Sequence, residues 1–327
     1  MQQSILVSHR VLLFSKRDML VDTHAHVNFN AFREDADEIL RRALENDIWV
    51  VMPGSQYSTS KRAVEIAERY DRGVYAAVGL HPIHLGEKRK VDVLEVQSED
   101  VQKQRWMTFE TSEEAFDYEA YKALDQSPKV VAIGEFGLDY YYRPKTKAKL
   151  EQFKEKQKEV FLKQLELAEE LGLPLILHCR VAHEDMLDIL GEFLSNPRPP
   201  SDTTLRSVVS MERRERKPMR GVVHCFTGTI EHAQRFMALG LYLGFNGLIF
   251  KEVPALPNPK EVIDSIPLER IILETDSPYL VPPMAPRERN EPLFITYIAK
   301  EIARIKQISL EEVTETTTKN AKDLFRL

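Results

Sequence analysis

The chain has 327 residues, of which 43% are hydrophobic and 29% are charged, a composition typical of a globular protein with a buried core. The formal net charge of −6 argues against a surface that binds nucleic acid non-specifically, although a local phosphate site is compatible with it. No apolar run reaches the roughly 18 residues needed to cross a bilayer, so we expect no membrane association.

Residues 1–18 precede a second methionine, Met19, and differ from the rest of the chain. His9 and Arg10 interrupt their apolar parts, and no small-residue cleavage site follows, which argues against a secretory signal. We interpret residues 1–18 as an N-terminal extension, either an extra strand or the product of an upstream start codon. Residues 19–327 are interpreted as a single domain.

Eight short apolar runs alternate with amphipathic segments of helical period from Leu20 onward. Such near-continuous runs are typical of parallel strands that are buried on both faces. Eight strands alternating with helices predict an α/β protein with a (β/α)8 TIM barrel. An open doubly wound sheet is the weaker alternative, because the sequence has no glycine-rich GxGxxG turn. The runs cover residues 20–27, 48–54, 74–82, 130–140, 173–180, 221–228, 241–247 and 271–280.

Two insertions interrupt this alternation, one after the third strand and one before the sixth. Residues 86–110 contain alternating valines and predict an irregular hairpin arm, followed by a helix from Thr111 in which Glu114 completes a capping box. Residues 195–219 begin proline-rich and end in a basic stretch, which we interpret as a solvated turn and not as a nucleic-acid patch. Since strand-to-helix connections lie on the catalytic face of a barrel, only the first insertion is expected to border an active site.

Unusual polar residues lie at the carboxyl ends of the predicted strands. The first strand ends in "DTHAH", and in an extended chain His24 and His26 point to the same side, so their imidazoles converge. An isolated HxH pair is also common without any function. The other strand ends carry His81, Glu135, His178 with Arg180, His224, Asn246 and Asp276, in that order.

Each of these residues has a plain structural explanation when taken alone. A lone histidine can be a hydrogen-bonded structural group, Glu135 can belong to an exposed turn, and Asp276 before Ser-Pro can cap a helix. Together, however, four histidines and two carboxylates occupy the ends of strands 1, 4, 5, 6 and 8, which meet at the mouth of a barrel. This combination indicates a metal centre.

The two cysteines follow directly after two of these histidines. Strand alternation predicts that Cys179 and Cys225 face the helices while His178 and His224 face the barrel axis. We therefore expect two buried structural thiols in a reducing compartment, with no disulfide and a cytoplasmic location.

The motifs as a set resemble the TatD family of metal-dependent deoxyribonucleases, within the amidohydrolase-like superfamily of barrels. The resemblance runs from Met19 to the end of the chain. In one place the chain departs from the family, with "APRERNEP" where a "HRGK"-like stretch is usual, and this bears on Arg287 and Asn290. The matching motifs are "DTHAH", "GLHP", "IGEFGLDY", "LPLILHCR", "HCFTG", "ETDSPYL", "RNEP" and "TTTKNAKDLF".

The resemblance implies a ligand set for two divalent ions. It assigns His24, His26 and Asp276 to one ion, His178 and His224 to the other, and Glu135 to a bridge between them. Four imidazoles suit Zn²⁺ or Mn²⁺ better than Mg²⁺, whereas the resemblance implies activity supported by Mg²⁺. We expect two divalent ions and leave their identity open among these three.

The resemblance also implies that His81 and Arg180 meet the substrate phosphate. The structural alternatives are a hydrogen bond of His81 before Pro82 and a salt bridge of Arg180 near Asp139. Both alternatives remain open at the level of the sequence.

The function that follows is metal-dependent hydrolysis of phosphodiester bonds. Two ions roughly 3.5–4 Å apart can neutralise the phosphoryl group and activate water, with Glu135 and Asp276 as the catalytic carboxylates. Asp276 is the candidate that orients the water or accepts its proton. We expect a deoxyribonuclease that acts on single-stranded DNA, as a 3′–5′ exonuclease, without an obligate protein partner. The alternatives are a hydrolase of small-molecule or aminoacyl esters or amides, and a non-catalytic binding barrel, against which the complete ligand set argues.

Overall fold

The computed structural model describes residues 19–86, 90–92, 108–195 and 218–327, with residues 90–92 and 108–110 described by their backbone alone. The predicted N-terminal extension, residues 1–18, and the basic stretch of the second insertion lie outside the described residues. The interpretation of both therefore stays a prediction.

Eight parallel strands form one sheet, and each lies within one of the eight predicted apolar runs, which confirms the predicted barrel. Their order in the sheet follows the chain, so each strand pairs with the one before it. A separate antiparallel pair, β4 (Lys90–Asp92) with β5 (Thr108–Glu110), lies in the first insertion, as expected for a hairpin arm. The barrel strands are β1 (Leu20–Asp22), β2 (Ile48–Pro53), β3 (Val74–Val78), β6 (Val130–Asp139), β7 (Leu175–Arg180), β8 (Gly221–His224), β9 (Tyr242–Phe245) and β10 (Ile271–Leu273).

The first and last strands meet through the segments that follow them, so the sheet is a nearly closed barrel. The N–H of Thr23 donates to the carbonyl of Leu273 over 3.2 Å, and Ala25 forms a parallel bridge with Ser277. Closure matters for the site because it joins the ends of the first and eighth barrel strands, which carry predicted ligands.

Helices alternate with the strands and cover the outside of the barrel. The longest, α4 (Lys147–Leu171), is followed by Gly172, which has the left-handed conformation (φ 66°) that glycine adopts readily after a helix. In the described part of the chain, no helix combines the length and the apolar character that a membrane crossing requires. The helices are α1 (Ala36–Glu45), α2 (Tyr57–Ala67), α3 (Tyr118–Leu124), α4 (Lys147–Leu171), α5 (His183–Ser195), α6 (Ile230–Ala238), α7 (Pro259–Ser265), α8 (Ile295–Lys306) and α9 (Leu310–Phe325).

Alternate residues of the barrel strands belong to two buried apolar clusters. The larger cluster joins the strands to the surrounding helices. The smaller one, here called the inner layer, includes the end of the C-terminal helix α9. It consists of Val21, Val51, Ala77, Val131, Ala132, Ile176, Val222, Ile272, Ala321, Leu324 and Phe325.

The prediction that a helix begins at Thr111 is wrong. The structure places the beginning of α3 at Tyr118, where Asp117 caps it by accepting the N–H of Ala120 over 3.1 Å. Glu114 is no part of a capping box, because its carboxylate accepts the N–H of Tyr57 at the start of α2. A contact with a distant helix terminus has replaced the local one that the sequence pattern suggested.

Candidate metal centre

The barrel brings the six predicted metal ligands together at the carboxyl end of its strands. They come from positions that are far apart in the sequence, and none of their side chains is more than 17% exposed. The structure places two of the ligands after β1, one in β6, one in β7, one at the end of β8 and one after β10; in that order they are His24, His26, Glu135, His178, His224 and Asp276.

The first group contains His24, His26 and Asp276. The Nε2 atoms of His24 and His26 lie 3.2 Å apart. Oδ1 of Asp276 lies 3.5 Å from Nε2 of His26 and 4.0 Å from Nε2 of His24. Ligand atoms that share a tetrahedral ion at bonds of about 2.0–2.1 Å lie about 3.3 Å apart, so the group has nearly the spacing that one cation requires.

Two backbone features direct these side chains into the barrel mouth. The N–H of His26 donates to the carbonyl of Ser277 over 2.7 Å, which keeps the segment after β1 extended, so that both imidazoles point to one side. Asp276 has a left-handed backbone (φ 56°), and its N–H donates to the carbonyl of His24 over 2.8 Å. The two ligand-bearing segments therefore hold each other directly.

Glu135 lies between two sets of imidazoles. Its Oε2 lies 3.3 Å from Nε2 of His24, in the first group. Its Oε1 lies 2.9 Å from Nδ1 of His178, 3.5 Å from Nε2 of His81 and 3.8 Å from Nε2 of His224. Each carboxylate oxygen thus faces a different set, which is the geometry of a bridging carboxylate.

An irregularity in β6 positions Glu135. The pairing of β6 with β7 shifts register between Ile133 and Phe136, and the N–H of Glu135 donates instead to the carbonyl of Gly54 at the end of β2, over 2.9 Å. Beyond it, Gly137 permits close approach of the strands, since a Cβ there would lie 1.9 Å from the carbonyl oxygen of His178. The glycine is therefore required for Glu135 and His178 to meet.

The second set of imidazoles is arranged differently from the predicted pair, His178 and His224. His178 clusters with Glu135 and His81, whose ring centroid lies 4.2 Å from that of His178, whereas His224 clusters with Glu135 and His24. His81 was predicted to contact substrate phosphate. Its Nδ1 accepts the N–H of Ile83 over 3.0 Å, so the structural hydrogen bond near Pro82 is present and leaves Nε2 directed at Glu135.

Two buried carboxylates lie behind the histidines, and the sequence predicted neither of them as the partner of a candidate ligand. Oδ2 of Asp139 lies 3.4 Å from Nε2 of His178, and Oε1 of Glu274 lies 3.0 Å from Nδ1 of His224. A carboxylate beside the second nitrogen of a ligating histidine is the common means of orienting its ring. The sequence feature that could have revealed Glu274 is the motif "ETD", in which Glu274 and Asp276 are two residues apart.

Glu274 is itself held by its surroundings. It is fully buried, and its Oε1 accepts the N–H of Cys225 over 2.7 Å and the Nδ2–H of Asn246 over 3.0 Å. Gly244 makes room for it, because a Cβ there would lie 2.5 Å from the carboxylate. Asn246, noted at the end of the seventh predicted strand, therefore supports Glu274.

Charge in the centre is distributed as a cation site requires. Burial alone raises the pKa of Glu135, but His81, His24 and His224 hold this pKa well below its ordinary value. Burial lowers the pKa of His24 and that of His81, which favours neutral imidazoles with a free lone pair. An ionised carboxylate and neutral imidazoles are the protonation states that bind metal ions.

The pKa values of His178 and His224 are shifted in the opposite direction. For His178, burial is outweighed by Asp139 and Glu135, which raise its pKa. His224 shows the same effect more strongly. Burial lowers its pKa, but the carboxylates of Glu274 and Glu135 outweigh burial and raise the pKa to about 10. Without a cation in the centre, a proton on His224 therefore compensates the surrounding negative charge.

A third buried carboxyl joins the segments below the centre. Asp22 accepts the hydroxyl of Thr275 over 2.6 Å, the N–H of Thr275 over 2.9 Å and the N–H of His24 over 3.2 Å. Burial raises its pKa to about 8. Asp22 thus connects the segment of His24 with that of Asp276.

Strand alternation predicted the direction of one cysteine and not of the other. Cys179 is buried in the larger apolar cluster, as expected. Cys225 follows the last residue of β8 in a left-handed conformation (φ 45°), and its sulfur lies within 4.8 Å of ligand atoms of His224 and Asp276. The prediction that its thiol faces the helices is wrong, because alternation ends where the strand ends.

Arg180 lies at the edge of the centre. Its guanidinium carbon is 3.9 Å from the ring centroid of Tyr141, and its charge contributes to the lowered pKa of the buried Asp139. Arg180 therefore interacts electrostatically with Asp139, and the salt bridge expected as the alternative stays a prediction. Contact with substrate phosphate stays a prediction.

The unusual stretch before the last helices supports the loop that carries Asp276. Asn290 is fully buried, and its Nδ2 donates to the carbonyls of Thr275 and Tyr279 over 2.9 and 2.6 Å. Arg287, by contrast, is half exposed, with Nη1 3.6 Å from the carboxylate of Glu291.

Comparison with known proteins identifies similar chains. The family model described as "TatD related DNase" matches residues 21–326. An uncharacterized metal-dependent hydrolase of Bacillus subtilis, YabD, is 36% identical over 311 residues, which are 94% of this chain and all of the relative. A 3′-5′ ssDNA/RNA exonuclease, TatD, of Edwardsiella piscicida is 31% identical over 313 residues, again 94% of this chain and all of the relative.

Solved structures share the fold. YJJV, a TatD homologue from Escherichia coli, superposes with a TM-score of 0.68 at 27% identity and covers 94% of this chain and 98% of its own. A TatD family hydrolase from Entamoeba histolytica superposes with a TM-score of 0.69 over 95% of this chain and 99% of its own, at 23% identity.

Proposed function

This chain belongs to the TatD-related DNase family, and from that premise we propose that it is a metal-dependent hydrolase that cleaves the phosphodiester bonds of single-stranded DNA from the 3′ end. The observation that supports this most is the position of Glu135, whose two oxygens face two different sets of buried imidazoles. A relative is named for 3′-5′ exonuclease activity on single-stranded DNA and RNA, so we include RNA as a second substrate.

The donor set fits two divalent ions. Imidazole and carboxylate groups are ligands for Zn²⁺, Mn²⁺ and, through oxygen, Mg²⁺. We propose that His24, His26 and Asp276 hold one ion, that His178 and His224 hold the other, and that Glu135 bridges them. When bound, such a pair of ions neutralises a phosphoryl group and makes a bound water acidic near neutral pH.

The protein side chains have separate tasks in this proposal. Asp276 orients the attacking water and accepts its proton. Its Oδ1 lies 3.5 Å from Nε2 of His26, and its second oxygen, Oδ2, lies 3.9 Å from Nε2 of His224. Asp139 and Glu274 keep the rings of His178 and His224 in position. His81 and Arg180 are proposed to contact the phosphate of the bound strand, as a bidentate guanidinium contact would allow.

The test uses an oligonucleotide labelled at its 5′ end, incubated with the purified chain and Mg²⁺, Mn²⁺ or Zn²⁺. We expect stepwise shortening that depends on the divalent ion and stops in EDTA. Glu135→Ala should remove this activity and lower the number of ions retained after dialysis. Glu65→Ala, on the exposed side of α2, is the control.

Equal cleavage by the wild type and Glu135→Ala would contradict the proposal. Internal cutting without stepwise shortening would contradict the exonuclease polarity while leaving the hydrolase in place. If the oligonucleotide stays intact while a panel of small esters is hydrolysed in a Glu135-dependent manner, the centre serves the alternative class of substrate.

A further inference from the structure

A cavity of about 350 Å³ lies between the segment that follows His224 and the segment that follows β9. One wall begins at Phe226 and Thr227, which are only two and three residues beyond His224. The other wall is the segment after β9, from Leu248 to Lys260. Its volume falls at the lower end of the range of pockets that bind small ligands, about 300–1,000 Å³, and is sufficient for a nucleotide unit.

Lys251 lines this cavity and is half-buried. Among residues 19–86, 108–195 and 218–327, no carboxylate forms an ion pair with its ammonium group. Burial lowers the pKa of Lys251, and the other contribution to it comes from the thiol of Cys225. Lys251 closes the short helical turn that Asn246 caps, and Asn246 donates to Glu274 behind His224, so this turn connects Lys251 to the candidate metal centre.

A second lysine that lines the same cavity, Lys260, forms an ion pair with a carboxylate. Nζ of Lys260 lies 3.7 Å from the carboxylate of Glu301, which also receives a hydrogen bond from Arg304. The carboxylate of Glu252 lies on the rim of the cavity and is exposed to solvent. Lys251 thus differs from Lys260 in having its charge partly desolvated without a carboxylate partner in the described residues.

A partly buried cation without a partner is costly, and an anion that enters the cavity removes this cost. The anion that the centre itself receives is a phosphodiester, and the next phosphate of the same strand must leave the centre through a neighbouring space. The lining of the cavity includes Thr227, which carries a hydroxyl, in addition to Lys251. Its apolar lining, which includes Leu248 and Phe250, can accommodate the base or sugar of the nucleotide.

We propose that Lys251 binds the backbone phosphate adjacent to the scissile one, so that the strand runs from the metal centre into this cavity. The proposal rests on the proposed function, because it takes nucleic acid as the ligand. It adds a positioning contact that determines how a strand, and not an isolated phosphodiester, lies across the centre.

The test measures binding of a fluorescent single-stranded oligonucleotide to the EDTA-treated protein by anisotropy, over a range of salt concentrations. For single strands, each phosphate contact contributes about 0.7 to the slope of log K against log salt. We expect Lys251→Met to weaken binding of all sequences alike and to lower this slope by about 0.7. Lys251→Arg should retain the slope, and Lys260→Met is the matched control that should leave it unchanged.

A second measurement locates the contact on the strand. Neutral methylphosphonate linkages replace one phosphate at a time, and one position should weaken wild-type binding but leave binding to Lys251→Met unaffected. This distinguishes a backbone phosphate from the phosphate of a mononucleotide such as dAMP, whose binding should not depend on Lys251.

An unchanged salt slope in Lys251→Met, or a wild-type protein that binds no strand without metal, would overturn the proposal. So would a loss confined to dAMP. None of these outcomes bears on metal-dependent cleavage by the wild type, which tests the proposed function separately. Equal unfolding temperatures of the three lysine variants would show that a change in slope does not reflect misfolding.

Discussion

The two ends of the barrel interior are built from the same strands and have opposite chemistry. Ile176 in β7 belongs to the apolar inner layer, and His178, two residues later on the same side of the strand, belongs to the candidate metal centre. Val222 and His224 repeat this step in β8. A distance of about 6.6 Å along a strand separates the two layers. Stability and chemistry can therefore be changed separately, since each depends on its own layer.

The inner layer is closed at its lower end by the C-terminal helix. Leu324 and Phe325 of α9 pack against it, and the guanidinium of Arg220 donates to the carbonyl of Leu324 over 3.1 Å. The Nδ2 of Asn320 donates to the carbonyls of Leu268 and Ile271, at the start of β10. This end excludes water, so its side chains stabilise the fold through burial.

The upper layer, which consists of the residues of the candidate metal centre, gains little stability from its own side chains. Its imidazoles and carboxylates are buried with short distances between like groups, such as the 3.2 Å between His24 and His26. Taking such groups out of water is costly unless a ligand compensates. The contrast predicts that substitutions in the upper layer reduce activity more than stability, and that the inner layer shows the reverse.

The largest effects are expected from a pair of substitutions in β7. His178→Ala should reduce hydrolysis by more than about 100-fold, which is the upper limit expected for loss of an outer-shell residue, while its unfolding free energy changes little. Ile176→Ala should cost about 2–5 kcal/mol of unfolding free energy because it leaves a cavity in the inner layer. Denaturant unfolding and steady-state kinetics of both variants provide the measurements.

The separation of the two layers would be refuted by a folded Ile176→Ala protein that no longer retains metal. It would be refuted equally by a His178→Ala protein as destabilised as Ile176→Ala.

A smaller effect is expected from Glu274→Gln. Gln preserves the size of the side chain but removes the charge beside Nδ1 of His224, and we expect metal affinity to fall by about 10–100-fold. Because Glu274 raises the pKa of His224, the variant should also titrate His224 at a lower pH in the metal-free protein. Calorimetric titration with Mn²⁺ and NMR titration of the imidazole measure the two effects. Unaltered metal affinity would show that Glu274 is structural.

The smallest effect on function is expected from His84→Asn, although this histidine is also buried at the upper end. His84 lies outside the centre, with Nδ1 3.2 Å from the carbonyl of Ser112. Burial lowers the pKa of His84 to about 4, so below about pH 6.5 this histidine takes up a proton in the unfolded state but stays neutral in the folded state. The free energy of unfolding should therefore fall by about 2 kcal/mol on acidification to pH 5 because of this group, and above pH 6.5 this loss is absent.

In His84→Asn this component of the pH dependence should disappear, and metal affinity should stay unchanged. Denaturant unfolding of both proteins between pH 7 and pH 5 measures the difference. Parallel pH profiles would contradict the assignment, and reduced metal binding would place His84 within the upper layer.

Much of the barrel was predictable because its determinants are local. The eight apolar runs contain the eight barrel strands, since a strand buried on both faces must be apolar throughout. The polar residues that end these runs had to gather at one rim once the strands were parallel. For that reason four histidines and two carboxylates could be expected to gather there, and the resemblance to the TatD family implied that they hold metal ions.

The sequence by itself thus determined the strand order, the alternation of helices and the identity of the groups at the barrel mouth. Only the tertiary structure decided the direction of Cys225, the position of Glu274 behind His224 and the place of Lys251 in the lining of the cavity. Periodicity states which way a side chain points only while the strand continues, and it ends where φ becomes positive. Contacts between residues tens of positions apart depend on how the barrel closes, which no local pattern encodes.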